Sequence, residues 1–288
     1  MITLDKKIDF VVFFTVKNAN PNGDPLMGNM PRTDYDGYGE VSDVCIKRKI
    51  RNRMQDEGHD IFVQSLDRVT DGHKSLEARF NAEYEAKKKI DDEIVAVESC
   101  KKWIDVRSFG QVMTFQKRSL GIRGPVSISL AKSLSPVDVV TMQITRSTNG
   151  MEAEVGKTRS SDTMGTKHYV DFGVYKCTGS INCYFSEKTG FTNEDAEVIK
   201  EALRTLFVND ISSARPEGSM EVKEIYWFTH PSKLGVASSA KIHNLVNAEM
   251  KVGIQKASSY DDYEIALDDE RYNSYKKLGL ELEEIEGI

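Results

Sequence analysis

Residues 8–17, Ile8-Asp9-Phe10-Val11-Val12-Phe13-Phe14-Thr15-Val16-Lys17, decide the fold class of this chain. They are β-branched and aromatic, and near the middle they are apolar on both faces, the pattern of a central strand covered from both sides. Asp5 and Asp9 flank and enter the run and no small-residue cleavage site follows it, so it reads as a strand and not as a secretion signal. Further along, Tyr175, Cys177, Ile181, Cys183 and Phe185 alternate with Lys176, Thr178, Ser180 and Asn182, which predicts a strand through 174–185. Strands are also expected near 125–131, 137–145 and 221–228.

Helices separate these strands. Ser42 can cap one, Asp43 suits its positive end, and Ile46, Ile50 and Met54 give it a buried stripe with Lys47 and Arg51 beside it. Thr192 and Asp195 predict a capping box for another, with Ala196, Ile199, Leu203 and Leu206 as its apolar face. One or two helices rich in Lys and Glu are expected within 73–103. The order strand, helix, strands, helix, strand predicts an α+β fold: the ferredoxin-like (RRM-like) βαββαβ sandwich, elaborated by long insertions. One domain over 1–258 is expected, with insertions at 18–41, about 58–123 and about 146–166, followed by an acidic segment at 259–288.

That segment carries ten acids against three bases, a net −7, whereas the whole chain stands at −6. The body is therefore close to neutral with basic clusters inside it, a distribution that permits nucleic-acid binding without establishing it. At 39% hydrophobic the chain can bury a core, yet no stretch approaches the roughly 18 apolar residues of a membrane helix, so a cytoplasmic protein is expected. Cys45, Cys100, Cys177 and Cys183 have no CxxC spacing and read as reduced, buried thiols.

The common catalytic signatures are missing: there is no phosphate-binding glycine loop, dinucleotide fingerprint, HExxH or GxSxG. His59, His73, His168, His230 and His243 are scattered without metal-ligand spacing. No catalytic residue, metal or cofactor is expected. What remains is polar and basic surface. Lys47 and Arg51, one turn apart, suit successive phosphates or else form a solvated helix face. Arg107, Ser108 and Gln111 in the loop expected at 105–111, then Lys117, Arg118 and Arg123, make a donor-rich stretch that reads equally as ordinary surface. The excursion 146–166, with Arg146, Lys157, Arg159, Met151 and Met164, is expected to project outward. Phe172-Gly173-Val174-Tyr175 is only a fragment of the RRM aromatic signature, so if RNA binds, backbone gripping by loops and helix is expected in place of base stacking on the sheet.

Several segments in order, NPNGDP (20–25), MGNMPRTD (27–34), SDVCIKRKIRNRM (42–54), DVRSFGQVM (105–113), IRGPVSISLAKS (122–133), DTMGTKH (162–168), FGVYKCTGSIN (172–182), TGFTNEDAEVIKEALRTLF (189–207) and NDISSARPEGSM (209–220), carry a family likeness. They resemble the backbone subunit of type I-C CRISPR Cascade complexes, the Csd branch of the Cas-seven RAMP proteins. The likeness spans about 8–228 and leaves out the acidic C-terminus.

The resemblance implies a ferredoxin-like palm with finger and thumb insertions. It also implies copies joined head to tail along one crRNA as a helical filament, a heterologous, non-closing contact. The guide backbone is then gripped so that its bases pair with target DNA in an R-loop, alongside other Cascade subunits and away from any membrane. Position by position, the RNA-contacting residues become Asn20, Asn22 and Arg32 of the first loop and Ser42, Lys47, Arg48 and Arg51 at the first helix. Arg107, Ser108, Gln111 and Arg123 follow, with Met164, Lys167 and His168 at the thumb base. The rival is a metal-dependent ribonuclease that cuts target RNA through a first-loop aspartate, Asp24, Asp34 or Asp36, as the similar type III backbone subunits do. Turn chemistry in NGDP and DGYG also explains Asp24 and Asp36. A generic single-strand binder would need stacking aromatics that the chain does not advertise.

Overall fold

The computed structural model describes residues 2–85, 90–145 and 164–288. Strand β1 (Ile8–Ala19) runs through the middle of a large antiparallel sheet. Phe10, Val12, Phe14 and Val16 enter one buried cluster and Val11 and Phe13 another on the opposite face, as the two-sided apolar pattern predicts. Phe10, Phe13 and Phe14 are each at most 1% exposed, and burying each contributes roughly 2 kcal/mol, so β1 anchors both layers.

The 18–41 excursion holds a two-rung hairpin, β2 (Gly23–Asp24) with β3 (Met30–Pro31), and a short strand β4 (Tyr38–Val41). Helix α1 (Asp43–Asp56) begins at the expected cap: the Ser42 hydroxyl accepts the Cys45 N–H at 3.2 Å, and Ile46, Ile50 and Met54 are buried. The next insertion builds a small core of its own from α2 (Leu76–Tyr84), α3 (Asp92–Lys102), α4 (Ile104–Phe109) and the hairpin of β5 (Gly110–Met113) with β6 (Leu120–Arg123). Phe62, Phe80, Tyr84, Val95, Trp103 and Val106 fill it. Residues 104–109 correct an expectation, since they are helical and not a loop. Ile104 and Val106 bury that helix, and Gly110 ends it at φ 77°, where a Cβ would stand 2.2 Å from the Ile122 carbonyl oxygen.

Strands β7 (Val126–Ile128), β8 (Ala131–Pro136), β9 (Val139–Thr145) and β10 (Met164–Ile181) follow. The alternation read through 174–185 holds only to Ile181. Asn182 then caps α5 (Cys183–Thr189) by accepting the Tyr184 N–H at 2.9 Å, so Cys183 and Phe185 lie on a helix. Thr192 and Asp195 form the expected capping box of α6 (Asn193–Arg204). Then come β11 (Met220–Thr229), α7 (Ser239–His243), β12 (Val246–Met250), β13 (Tyr263–Leu267), α8 (Asp269–Lys276) and β14 (Glu281–Glu286).

The main sheet runs β14-β11-β1-β10-β8-β4, with β7 and β9 also paired to β10. One face is covered by α1 and α6, over stacked pairs of Phe10 with Trp227 (5.4 Å) and Phe14 with Tyr175 (5.3 Å). Tyr175 is fully buried there, and Phe172 of the same fragment is half-buried against the opposite face. The other face is covered by Ile242, Leu245, Val246, Tyr263 and Leu280, packed on Val11, Phe13, Tyr226 and Phe228. The acidic residues 259–288 therefore supply part of that layer and the edge strand β14. In β14 the four glutamates are exposed while Leu282 and Ile285 are half-buried, and a charged edge resists further strand pairing. All four cysteines are free thiols, and burial pushes Cys177 up to about 12. Among the described residues no helix is long and apolar enough to cross a membrane.

Candidate nucleic-acid interface

The loop after β1 is knitted to the start of α1 and to the turn before β11. Asn20 donates Nδ2 to the Asn29 carbonyl at 2.6 Å and its backbone N–H to the Ala214 carbonyl at 2.9 Å. Asn22 Oδ1 accepts the Ser42 N–H at 2.9 Å, and the Arg32 N–H reaches the Asn22 carbonyl at 3.2 Å. Arg32 also straddles Asp24, its two terminal nitrogens 3.3 and 3.4 Å from the carboxylate oxygens. These contacts hold Asn22 at the wall of a polar cleft of about 270 Å³, lined with Arg48, Lys49, Asn52, Asn209 and Arg215 among others.

Charge in the cleft is unequally committed. Lys49, 4% exposed, pairs with Asp210, which also accepts Arg215 Nε at 2.9 Å. Burial pushes the Lys49 ammonium below its usual pKa against the pull of Asp210. Arg48 is different: it is 61% exposed and faces Asp67 at 3.6 Å, itself 74% exposed. Such a solvated pair is worth at most about 1 kcal/mol, so Arg48 can exchange it for another anion. Arg48 and Asp67 also border a second cleft of about 480 Å³, with Gln64, Ser65 and Lys74. Guanidinium forks beside amide side chains suit an anionic, hydrogen-bonding chain such as a phosphodiester.

The other expected contacts are dispersed. Lys47 pairs with Asp43, one turn back, at 2.9 Å. Arg51 turns inward, with Nε 2.9 Å from an oxygen of the fully buried Asp105 and its guanidinium 4.9 Å from the Phe109 ring centre. Asp105 also accepts the Phe62 and Val63 N–H groups, so Arg51 joins α1 to the insertion. Arg107 grips Asp195 through two bonds of 2.8 Å and gives a third N–H to the Cys100 carbonyl, tying α4 to the capping box of α6. Ser108 is fully buried with its hydroxyl unpartnered. Gln111 donates to the Val112 carbonyl at 3.0 Å, and the Arg123 guanidinium lies 4.3 Å from the Phe185 ring centre. None of these four lines the polar cleft.

Met164, Lys167 and His168 sit on the β9–β10 ribbon. Met164 is 62% exposed, and His168 Nδ1 is 2.8 Å from Thr141 Oγ1. Lys167, opposite Met142, points to the other face of the ribbon from Met164 and His168. Of the expected thumb, 146–163 lies outside the described residues.

Two aspartates of the first loop build turns. Asp24 accepts the Leu26 N–H at 3.0 Å besides the Arg32 fork. Asp34 accepts the Asp36 and Tyr38 N–H groups at 3.0 and 2.9 Å and pairs with Lys132, whose hydrogen bond holds the carboxyl below its usual pKa. Asp36 is exposed. Among the described residues no three His, Cys, Asp or Glu side chains are grouped to hold a metal.

Asn52, Asn209 and Arg215 escape the sequence reading. Asn52 lies one turn beyond Arg48 on α1, a spacing that could have revealed it. Asn209, in a left-handed turn at φ 59°, and Arg215 belong to a distant segment that only folding brings to α1.

Residues 6–268 match the family described as "CRISPR-associated protein Cas7". A relative from Haloferax volcanii, also called CRISPR-associated protein Cas7, is 26% identical over 215 residues, 68% of this chain and 62% of the relative. The chain thus spans less than two thirds of that relative's length. Among solved structures, a chain of a "CRISPR RNA-guided surveillance complex" is similar at TM-score 0.51 and 13% identity, over 96% of this chain and 87% of that one. Another, from a "CRISPR RNA-guided surveillance complex, pre-nicking", gives TM-score 0.49 and 15% identity over 77% and 78%. The first of these structural likenesses concerns the fold alone. On its match through residues 6–268, the chain belongs to the CRISPR-associated Cas7 family.

Proposed function

We propose that this chain is a non-catalytic backbone subunit of a cytoplasmic type I-C CRISPR surveillance complex, gripping crRNA by its phosphates. The observation that carries the reading is the pair of clefts that meet at Arg48, an exposed cation with only a weak carboxylate partner. Arg48, Asn22 and Arg215 would take phosphates, with Asn20, Arg32 and Ser42 shaping the wall. Lys47, Gln111, Arg123, Met164, Lys167 and His168 are open to RNA further along, while Arg51, Arg107 and Ser108 act through the fold. Copies follow one another head to tail along the guide, other Cascade subunits complete the complex, and target DNA pairs with the presented bases.

The palm is read as ferredoxin-like. The succession β1, α1, β7–β8, β10, α6, β11 supports this, as does the order β11-β1-β10-β8 with both helices on one face. We read the chain as one such domain with insertions, its C-terminal residues closing the second face. The turn-building roles of Asp24 and Asp34 favour the scaffold over the ribonuclease.

The test is Arg48→Ala with Arg215→Ala in filter binding to single-stranded RNA across a salt series. Each lost phosphate contact should flatten the log–log salt slope by roughly 0.7. An unchanged slope overturns the assignment of the cleft.

A further inference from the structure

The tip of the β2–β3 hairpin presents two apolar side chains to water: Leu26 is 93% exposed and Met27 63%. The hairpin springs directly from the cleft, since Asn22 and Gly23 line it. Its tip is firmly framed. Pro25 opens the turn, Asp24 caps Leu26, and the Arg32 fork clamps Asp24 from behind. Gly28 and Asn29 both take left-handed conformations, at φ 62° and 68°. The Asn29 N–H then returns to the Asp24 carbonyl at 2.8 Å, while the buried Asn20 side chain holds the Asn29 carbonyl. Ordering a turn this fully without burying its apolar residues preorganises it for a partner.

The size of the tip selects that partner. A stable protein interface needs about 800 Å² from each side, far more than two side chains supply. One nucleobase face is the right scale. Leu and Met are among the side chains that wedge between base steps, and methionine sulfur packs well against aromatic rings. We propose that Leu26 and Met27 form a wedge that packs on one base of the RNA strand in the adjoining cleft and unstacks it from its neighbour. This rests on the reading of that cleft as an RNA groove.

The test uses the full chain and single-stranded oligoribonucleotides carrying 2-aminopurine, whose fluorescence rises on unstacking. Wild type should raise the fluorescence on binding. Leu26→Ser with Met27→Ser should abolish most of the rise and lose roughly fivefold in affinity, the low end for one base contact, with the salt slope unchanged. Its melting temperature should match wild type, because both side chains are exposed. A variant that keeps the full rise overturns the wedge. So does one that loses self-association in sedimentation while fluorescence stays unchanged, for the tip would then meet another copy of the chain. If Arg48→Ala with Arg215→Ala keeps the wild-type salt slope, the cleft assignment fails and the wedge that rests on it fails too; if that slope flattens while the serine variant keeps the full rise, the wedge alone fails. Wild-type protein that binds no RNA overturns both.

Discussion

Arg51→Ala should loosen the junction between α1 and the 58–123 insertion and leave the salt dependence of RNA binding alone. The Arg51 side chain is 13% exposed, and its Nε stands 2.9 Å from Asp105, which is fully buried. Removing one partner of a buried ion pair costs about 3–5 kcal/mol, because the remaining charge is left uncompensated. Here the Phe62 and Val63 N–H groups still donate to Asp105, at 2.8 and 3.1 Å, which places the loss near the low end, about 3 kcal/mol. For a chain of this size that corresponds to a melting-temperature drop of about 6–12 °C. Urea unfolding followed by circular dichroism measures it, and Arg51→Met with Asp105→Asn should recover part of the loss by removing both charges. A stable Arg51→Ala protein whose salt slope is shallower by about 0.7 would refute the reasoning and make Arg51 a phosphate contact.

Asp195 serves the capping box and Arg107 together, so Asp195→Ala should cost about 3 kcal/mol where Thr192→Ala, which loses the cap alone, costs about 1 kcal/mol. Equal losses in urea titrations would show that the Arg107 contact adds nothing. A pH effect follows from His243, which burial holds below its usual pKa of 6.5 despite the Gly179 carbonyl and nearby Asp9. A depressed pKa gives stability that is full above the unfolded value and lost as pH falls through the folded one. The protein should therefore melt earlier as pH falls from about 7 to about 5, and His243→Gln should flatten that trend; an unaltered trend would exclude His243 as its source.

The elements legible in the sequence are those with local signals. The two-sided apolar run of β1, the Ser42 cap and the Thr192–Asp195 box each declare themselves within a few residues. Helices α4 and α5, of 6 and 7 residues, are too short for helical periodicity to show, so in the sequence one reads as loop and the other as strand. In β14 the glutamates hid Leu282 and Ile285, the residues that seat the strand on β11. At the candidate interface, Asn22 and Arg48 are legible as polar and basic groups on a turn-rich loop and a capped helix. Their neighbours Arg51 and Arg107 read the same way, yet their carboxylates lie 54 and 88 residues off in the chain. Sequence alone does not separate a committed cation from an available one at that distance. Arg215 escapes for the converse reason: its place in the cleft depends on the packing of the β11 approach against α1.

The central claim is that copies of this chain hold crRNA in repeated, identical grips. It is tested most directly by co-expressing the protein with a CRISPR transcript, purifying it, digesting with nuclease and sizing the RNA that remains. The account predicts a ladder of protected fragments with a constant increment, one step for each added subunit. Purified protein without protected RNA, or with fragments of unrelated lengths, would contradict it.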